Sequence, residues 1–373
     1  MNILIISDSF PPMKTASAGM INILADELKK KNKIFIFTSS PKRNKKLYIN
    51  NFLFSWRNGS YLQKLIFEFF NTLILTVLLF RNFRKIKSID LIIWYCPSAF
   101  LWVPVLFAKI IFKSKVLMIL RDIFPDWLYH VNILKSKILF SFFRFIVYPQ
   151  YLVPDLIGCQ TSGDKKYLEE NKIKSKITVL KNWPSIKNIN KEYTNDRIKK
   201  IINNIHYFKN KNEVKVFTYL GSSTIAQDLE KNILFLQGLS KTNKKKILFN
   251  LFVKDVSNIN KIINENNLNN IFYVWHQIDQ QYIYCILKNS DFGIVSLNEK
   301  HKTNNIPGKF VTYTQFSLPI VCFSNSDQDL TKLIMKYKNG YIISGRKTIN
   351  EKLKLFEDLI NLKEKNMEEL KKN

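Results

Sequence analysis

Short runs of β-branched and aromatic residues recur along the chain, apolar at successive positions and not at every second one. Residues 3–7, 33–38, 91–94, 116–120 and 156–160 read as strands, with helical patterns between them. Continuous apolarity is what a strand covered on both faces requires. The pattern therefore predicts an α/β protein whose parallel sheet has helices on each side. A Lys- and Asn-rich stretch from about 187 to 212 interrupts it. It then restarts at 214–220, 246–252, 271–274, 292–296 and 319–323, which marks a second domain. Residues 348–372 combine strong helix formers with Leu353, Leu355, Leu359 and Leu362 and read as a closing amphipathic helix. No repeat of solenoid period is visible.

Three segments depart from ordinary patterning. The longest apolar run, 65–80, is interrupted by Glu68 and Asn71 and is shorter than the roughly 20 apolar residues that span a bilayer. It ends in Arg81, Arg84, Lys85 and Lys87, and segments 100–115 and 133–148 likewise mix bulky apolar residues with scattered Lys and Arg. Such segments suit a surface resting on lipid, although buried helices with solvated flanks would read the same way.

Charge sharpens this picture. The 373 residues carry 58 Lys and Arg against 29 Asp and Glu, a net +29, and residues 41–150 alone hold 17 basic and 4 acidic side chains. Anionic partners follow, and the pairing of charge with apolar bulk favours the anionic face of a membrane, peripherally bound from the cytoplasm. Trp56, Phe83, Trp94 and Trp102 could instead stack bases, but no nucleic-acid module signature accompanies them. With 46% hydrophobic and 14% aromatic residues, disorder is excluded, and the length suits two domains.

Cys96, Cys159, Cys285 and Cys322 lie far apart, as do His130, His206, His276 and His301, so neither set has the short spacing of a metal or redox site. Residues 1–7 read as a strand with no basic leader before it, and so not as a secretory signal.

In doubly wound folds ligands bind beyond the carboxyl ends of the strands, so the residues there carry the chemistry. After the first strand come Ser7-Asp8-Ser9-Phe10-Pro11-Pro12 and Thr15-Ala16-Ser17-Ala18-Gly19, leading into a helix at Met20. Ala18 and Gly19 could bring helix N-terminal amides to a diphosphate, while a plain strand–turn–helix junction explains the same residues. After the fourth strand, Arg121-Asp122-Ile123-Phe124-Pro125-Asp126-Trp127 places charge at the sheet edge. Arg121 and Asp122 could serve a site there or simply pair with each other. Asp122 is the best-placed carboxylate for orienting or deprotonating an acceptor hydroxyl.

Those motifs, with Lys181-Asn182-Trp183, Tyr219-Leu220-Gly221, Ala226-Gln227, and Asn305-Ile306-Pro307-Gly308-Lys309-Phe310 through Leu318-Pro319, occur in the order seen in GT-B glycosyltransferases of family 4. The chain most resembles the L-fucosamine transferases of bacterial surface-polysaccharide clusters. The resemblance runs from residue 1 to about 344. It implies two Rossmann-like domains with a cleft between them, at 1–186 for an acceptor and the membrane and at 213–346 for a nucleotide sugar. They are joined by a linker at 187–212, and a final helix at 347–373 crosses back to the first domain. It further implies a UDP-sugar donor, a lipid-linked saccharide acceptor, a retaining outcome, and neither metal nor cofactor.

By the same resemblance Lys309 faces the leaving diphosphate, where preorganised charge is needed. Gly221 and Ser222 would present backbone and hydroxyl donors to it, and Pro307 and Gly308 lead into the same helix. Many family members carry two glutamates eight positions apart at the donor. Here Asn304 and Thr312 stand in their places. Asn304 could still bind a sugar hydroxyl, and no carboxylate remains at either position.

His301, in the loop after the strand ending at Ser296, could reach the donor or be a solvated loop histidine. Asp327-Gln328-Asp329 imitates the paired aspartates of GT-A enzymes, but its place after a strand makes Asp327 a helix N-cap. A sugar-nucleotide epimerase on the same fold and a non-catalytic sugar- or nucleotide-binding scaffold are the competing readings.

Overall fold

The computed structural model describes residues 1–13, 15–38, 48–50, 61–83, 86–96, 98–186, 195–211, 214–302 and 304–372. Trp56, Arg84, Lys85 and residues 187–194 of the expected linker lie outside them. The chain divides into two compact units, Met1–Ser185 with Thr303–Asn305, and Ile186–Lys302 with Ile306–Asn373.

The first unit runs β1 (Asn2–Ser7), α1 (Ala16–Lys29), β2 (Lys33–Thr38), β3 (Tyr48–Asn50), α2 (Tyr61–Phe83), β4 (Leu91–Cys96), α3 (Trp102–Phe112), β5 (Lys115–Leu120), α4 (Asp126–His130), α5 (Lys137–Val147), β6 (Leu156–Cys159), α6 (Ser162–Glu170) and β7 (Lys176–Val179). Its strands form one parallel sheet in the order β3-β2-β1-β4-β5-β6-β7. Strand order reverses direction between β1 and β4, where Ile5 lies opposite Ile93. Leu4 and Ile6 face one core with Trp94 and Met118, while Ile3 and Ile5 face the other with Ile21 and Ile93. The unbroken apolarity of the strands thus has its cause in two covered faces.

The second unit runs α7 (Asp196–Lys211), β8 (Lys215–Leu220), α8 (Leu229–Leu234), α9 (Lys241–Lys244), β9 (Ile247–Val253), α10 (Val256–Glu265), β10 (Phe272–His276), α11 (Ile283–Lys288), β11 (Phe292–Ser296), α12 (Gly308–Gln315), β12 (Ile320–Phe323), α13 (Asp329–Tyr337), β13 (Gly340–Ile343), α14 (Ile349–Ile360) and α15 (Glu364–Lys372). Its sheet is also parallel, ordered β10-β9-β8-β11-β12-β13, with the reversal between β8 and β11. Phe217 stacks between Phe249 and Phe292 at 5.0 Å from each and meets Phe356 of α14 at 4.9 Å.

Two boundaries differ from the sequence reading. The expected linker contains α7, whose Ile198, Ile201, Ile202 and Ile205 recur at helical spacing and are buried against Val216, Leu248 and Ile286. Its Lys and Asn residues mask this stripe when the segment is read by composition alone. The closing segment, expected to return to the first domain, is two helices. Phe356, Leu359, Ile360 and Met367 are sunk in the second unit's own core.

The apolar segments of the first unit are helices with bare faces. On α2, Ile66, Phe70, Val77 and Phe80 are exposed while Leu75 and Leu79 are buried. On α5, Ile138 and Phe145 are 82% and 81% exposed. Edge-to-face ring contacts join α2 to its neighbours, Phe69 to Phe100 and Phe80 to Phe107 of α3. No helix among the described residues is long and apolar enough to cross a membrane.

Candidate functional site

In the first unit polar groups gather beyond the carboxyl ends of β1, β4 and β5. Burial pushes the Asp8 carboxyl up to about 6 against a hydrogen bond from Ser9, and the negative charge of Asp122 adds to the rise. Glu68 reaches in from α2. Burial raises it to about 7, and Asp8 contributes to the rise. One helix therefore carries a bare apolar face and an inward acid. Burial also drives the Cys96 thiol well up and Tyr95 to about 12.

Arg121 lies 5.7 Å from the centre of the Tyr95 ring, and burial lowers its pKa although Tyr95, Asp122 and Asp164 favour the charge. Its Nη2 donates to Met20 Sδ at 3.8 Å, and its buried Nη1 has no partner among the described residues. Asp122 accepts from Asn305 Nδ2 at 2.8 Å. Asn305 Oδ1 in turn accepts from Gln160 Nε2 at 3.0 Å, and Gln160 Oε1 from Asn182 Nδ2 at 3.1 Å. Arg121, Asp122, Asp164 and Asn305 line a small pocket with Leu120 and Ile123.

Ala18 and Gly19 do not lie ahead of their helix, as the sequence suggested. Helix α1 begins four residues earlier, at Ala16, and Thr15 caps it. The Ala18 amide donates to Thr15 Oγ1 at 3.2 Å and the Gly19 amide to the Thr15 carbonyl at 3.2 Å, so both are already engaged.

In the second unit the corresponding place is the end of β8 beside β11. Gly221 has φ +136°, a conformation L side chains rarely adopt. A Cβ there would meet Lys309 Nζ at 3.3 Å, so the bare glycine also makes room for that amine. Lys309 stands in the first turn of α12, whose N-cap position, Pro307, supplies no side-chain cap. Its Nζ lies 3.8 Å from the Tyr219 ring centre and is shielded from solvent, with no hydrogen-bond partner among the described residues. Burial lowers its pKa to about 7.

Packing fixes α12 in place. Gly293 on β11 leaves space for the Tyr313 ring, which a Cβ would meet at 2.5 Å. The Tyr313 hydroxyl accepts from the Leu220 amide at 3.0 Å and donates to the Thr218 carbonyl at 3.2 Å, so α12 is anchored to β8.

The remaining sequence candidates fall differently. Ser222 Oγ donates to Gln227 Oε1 at 3.1 Å, close to Gly221 in sequence. Gly308 begins α12, and the Thr312 hydroxyl is spent within that helix on the Gly308 carbonyl at 3.1 Å. His301 is 6% exposed and thus no solvated loop residue. Its carbonyl accepts from Gln328 Nε2 at 2.6 Å. Asn304 belongs to the short stretch grouped with the first unit. Asp327 is not an N-cap, because α13 starts at Asp329 after Gln328, and Asp327 pairs with Arg346 at 2.5 Å instead. Among the described residues no three His, Cys, Asp or Glu side chains cluster as metal ligands.

Sequence reasoning passed over Asp8, Glu68 and Tyr219 as site residues. An acid interrupting the longest apolar run and an aspartate directly after the first strand were the available signals. The Tyr219 contact with Lys309 depends on packing and left none.

Two doubly wound parallel units in one chain define the GT-B architecture. Solved structures agree. Sucrose-phosphate synthase from Thermosynechococcus elongatus superposes with TM-score 0.67 at 13% identity, covering 100% of this chain and 94% of that one. WaaG, a glycosyltransferase involved in lipopolysaccharide biosynthesis, gives 0.65 at 9% identity over 99% and 93%. HepE from Anabaena, in complex with UDP, gives 0.60 at 13% identity over 100% and 93%. No family model and no curated protein matches the sequence.

Proposed function

We propose that this protein is a glycosyltransferase. It moves a sugar, an N-acetylated deoxy-amino sugar such as N-acetyl-L-fucosamine, from a UDP-sugar to a polyprenyl-diphosphate-linked saccharide during surface-polysaccharide synthesis. The observation that carries the reading is Lys309 beside Gly221 at the strand-order reversal of the second unit, the place where a doubly wound sheet receives its ligand. A buried amine at a helix N-terminus, with a backbone bare of side chain in front of it, suits the charge that accumulates on a departing diphosphate. No metal is needed where these groups meet that charge, and a retaining outcome accords with the family the sequence resembles.

The bare faces of α2 and α5, with α3 against α2, support peripheral docking on the cytoplasmic face of an anionic membrane. There each basic residue near the surface adds about 1 kcal/mol. Asp122 and Arg121 would orient the acceptor in the first unit. The test is UDP release on incubation with candidate UDP-sugars, with and without a lipid-linked saccharide in anionic vesicles. Release that requires the acceptor and yields a longer saccharide supports the reading. Acceptor-independent conversion of the sugar nucleotide indicates an epimerase, and nucleotide binding without turnover a scaffold.

A further inference from the structure

Lys309 is placed where a cation has little support. It occupies the first turn of α12, whose amides already contribute partial positive charge. Its Nζ is shielded from water and lacks a hydrogen-bond partner among the described residues. Among the described residues, the titratable groups beside it on the packed elements are Tyr219 on β8, Cys322 on β12 and Tyr313 on α12 itself, while Lys215 stands at the opposite end of β8. Burial keeps all three protonated and neutral, with Cys322 pushed up to about 12 and both tyrosines above their usual range. None is a carboxylate. The face of the Tyr219 ring lies 3.8 Å away, and a ring offsets only part of the cost of burying an ammonium.

We propose that Lys309 is uncharged in the empty protein above neutral pH, and that a nucleoside diphosphate binds there together with one proton, which Lys309 takes up. The inference rests on reading the second unit as a nucleotide-sugar site. The ligand supplies the negative charge that the site lacks, so the amine becomes a cation only when a diphosphate lies against it. The shift of the free amine to about 7 agrees with this geometry. The sign follows: the bound state holds the proton more tightly, so affinity is full below the free pKa and falls as pH rises through and above it. A ligand without phosphate would draw no proton into the site.

The test is calorimetric titration of the full chain with UDP at pH 8 in buffers of different ionisation enthalpy. At that pH a terminal phosphate, with a pKa of about 6, is ionised. The proposal requires uptake of roughly half to one proton at pH 8 and an affinity at least about 3-fold lower at pH 8.5 than at pH 7. In Lys309→Met both the uptake and the pH dependence should vanish, which separates this amine from the raised carboxyls Asp8 and Glu68. UDP binding to the unmodified protein without proton uptake overturns the proposal, whatever the variant's folding. Equal uptake by a folded Lys309→Met protein overturns it too. Failure of UDP to bind at all is a separate result, and it overturns the nucleotide reading on which the proposal stands.

Discussion

Replacing Ile138 and Phe145 of α5 by serine should detach the protein from anionic vesicles while leaving it folded. The two residues are a helical repeat apart and 82% and 81% exposed, whereas Phe140, Phe143 and Ile146 of the same helix pack inward and Val147 is buried. Moving such a side chain fully from water into an apolar phase is worth about 1.5–3 kcal/mol. Since roughly four-fifths of each is bare, docking the pair contributes about 2.4 kcal/mol even at the lower end, or about 50-fold in partitioning. Sedimentation with vesicles containing anionic lipid, at low salt, would show the loss directly. Thermal denaturation in solution should be unchanged within a degree or two, because the replaced atoms touch little of the fold. Rising salt should release the unmodified protein only in part, since it screens the charges and not the apolar contact. Vesicle binding undiminished in the double variant would refute the docking face. A large fall in melting temperature would refute the claim that these residues are bare in the folded protein.

Other expectations follow from the same geometry. Lys309→Ala should lower turnover about 100- to 1,000-fold by removing a charge aimed at the leaving diphosphate, and unchanged turnover in a folded variant would contradict its role. Activity should persist in excess EDTA, and restoration of chelated enzyme by magnesium or manganese would assign the diphosphate to a metal. Gly293→Ala should cost about 1–3 kcal/mol, read as a lower melting temperature, because its Cβ collides with the Tyr313 ring that anchors α12. Glu68 titrates in the folded chain near 7, above the usual carboxylate value. The stability its protonated form confers is therefore lost as pH rises from about 4.5 through 7. Glu68→Gln should accordingly stabilise the protein at pH 8 by about 1–3 kcal/mol and at pH 4 hardly at all, an equal effect at both values ruling out the buried acid.

The sheets were legible because a strand covered on both faces must be apolar throughout, and ten of the runs read that way lie on strands. The edge strands β3, β7 and β13 were not, being three or four residues long and only partly apolar, as edges commonly are. Helix α7 escaped notice because its isoleucines are diluted by Lys and Asn, although their spacing was there to be counted. At the candidate site the sequence order singled out Lys309 and Gly221, whose meeting depends on a strand end and a helix start that the topology makes neighbours. It misjudged Ala18 and Gly19 because the start of α1 is set by the Thr15 cap, four residues before the first bulky residue. Thr312 shows the other limit. A hydroxyl on a helix has its own backbone as an alternative partner, and only coordinates reveal which it takes.

The stack of Phe217, Phe249, Phe292 and Phe356 also bears on how the chain is made. Translation delivers Phe217 first and Phe356 long afterwards, so the centre of the second unit waits with an uncovered ring until α14 has left the ribosome. Most of the first unit, Met1–Ser185, has by then been complete for some time. Domains usually fold in order of synthesis, and exposed apolar surface during that interval invites aggregation. A ribosome stalled before residue 349 would therefore display a finished first unit and a second one with its core unsealed. Helices α14 and α15 thus seal the core of the second unit only after its strands have all been made.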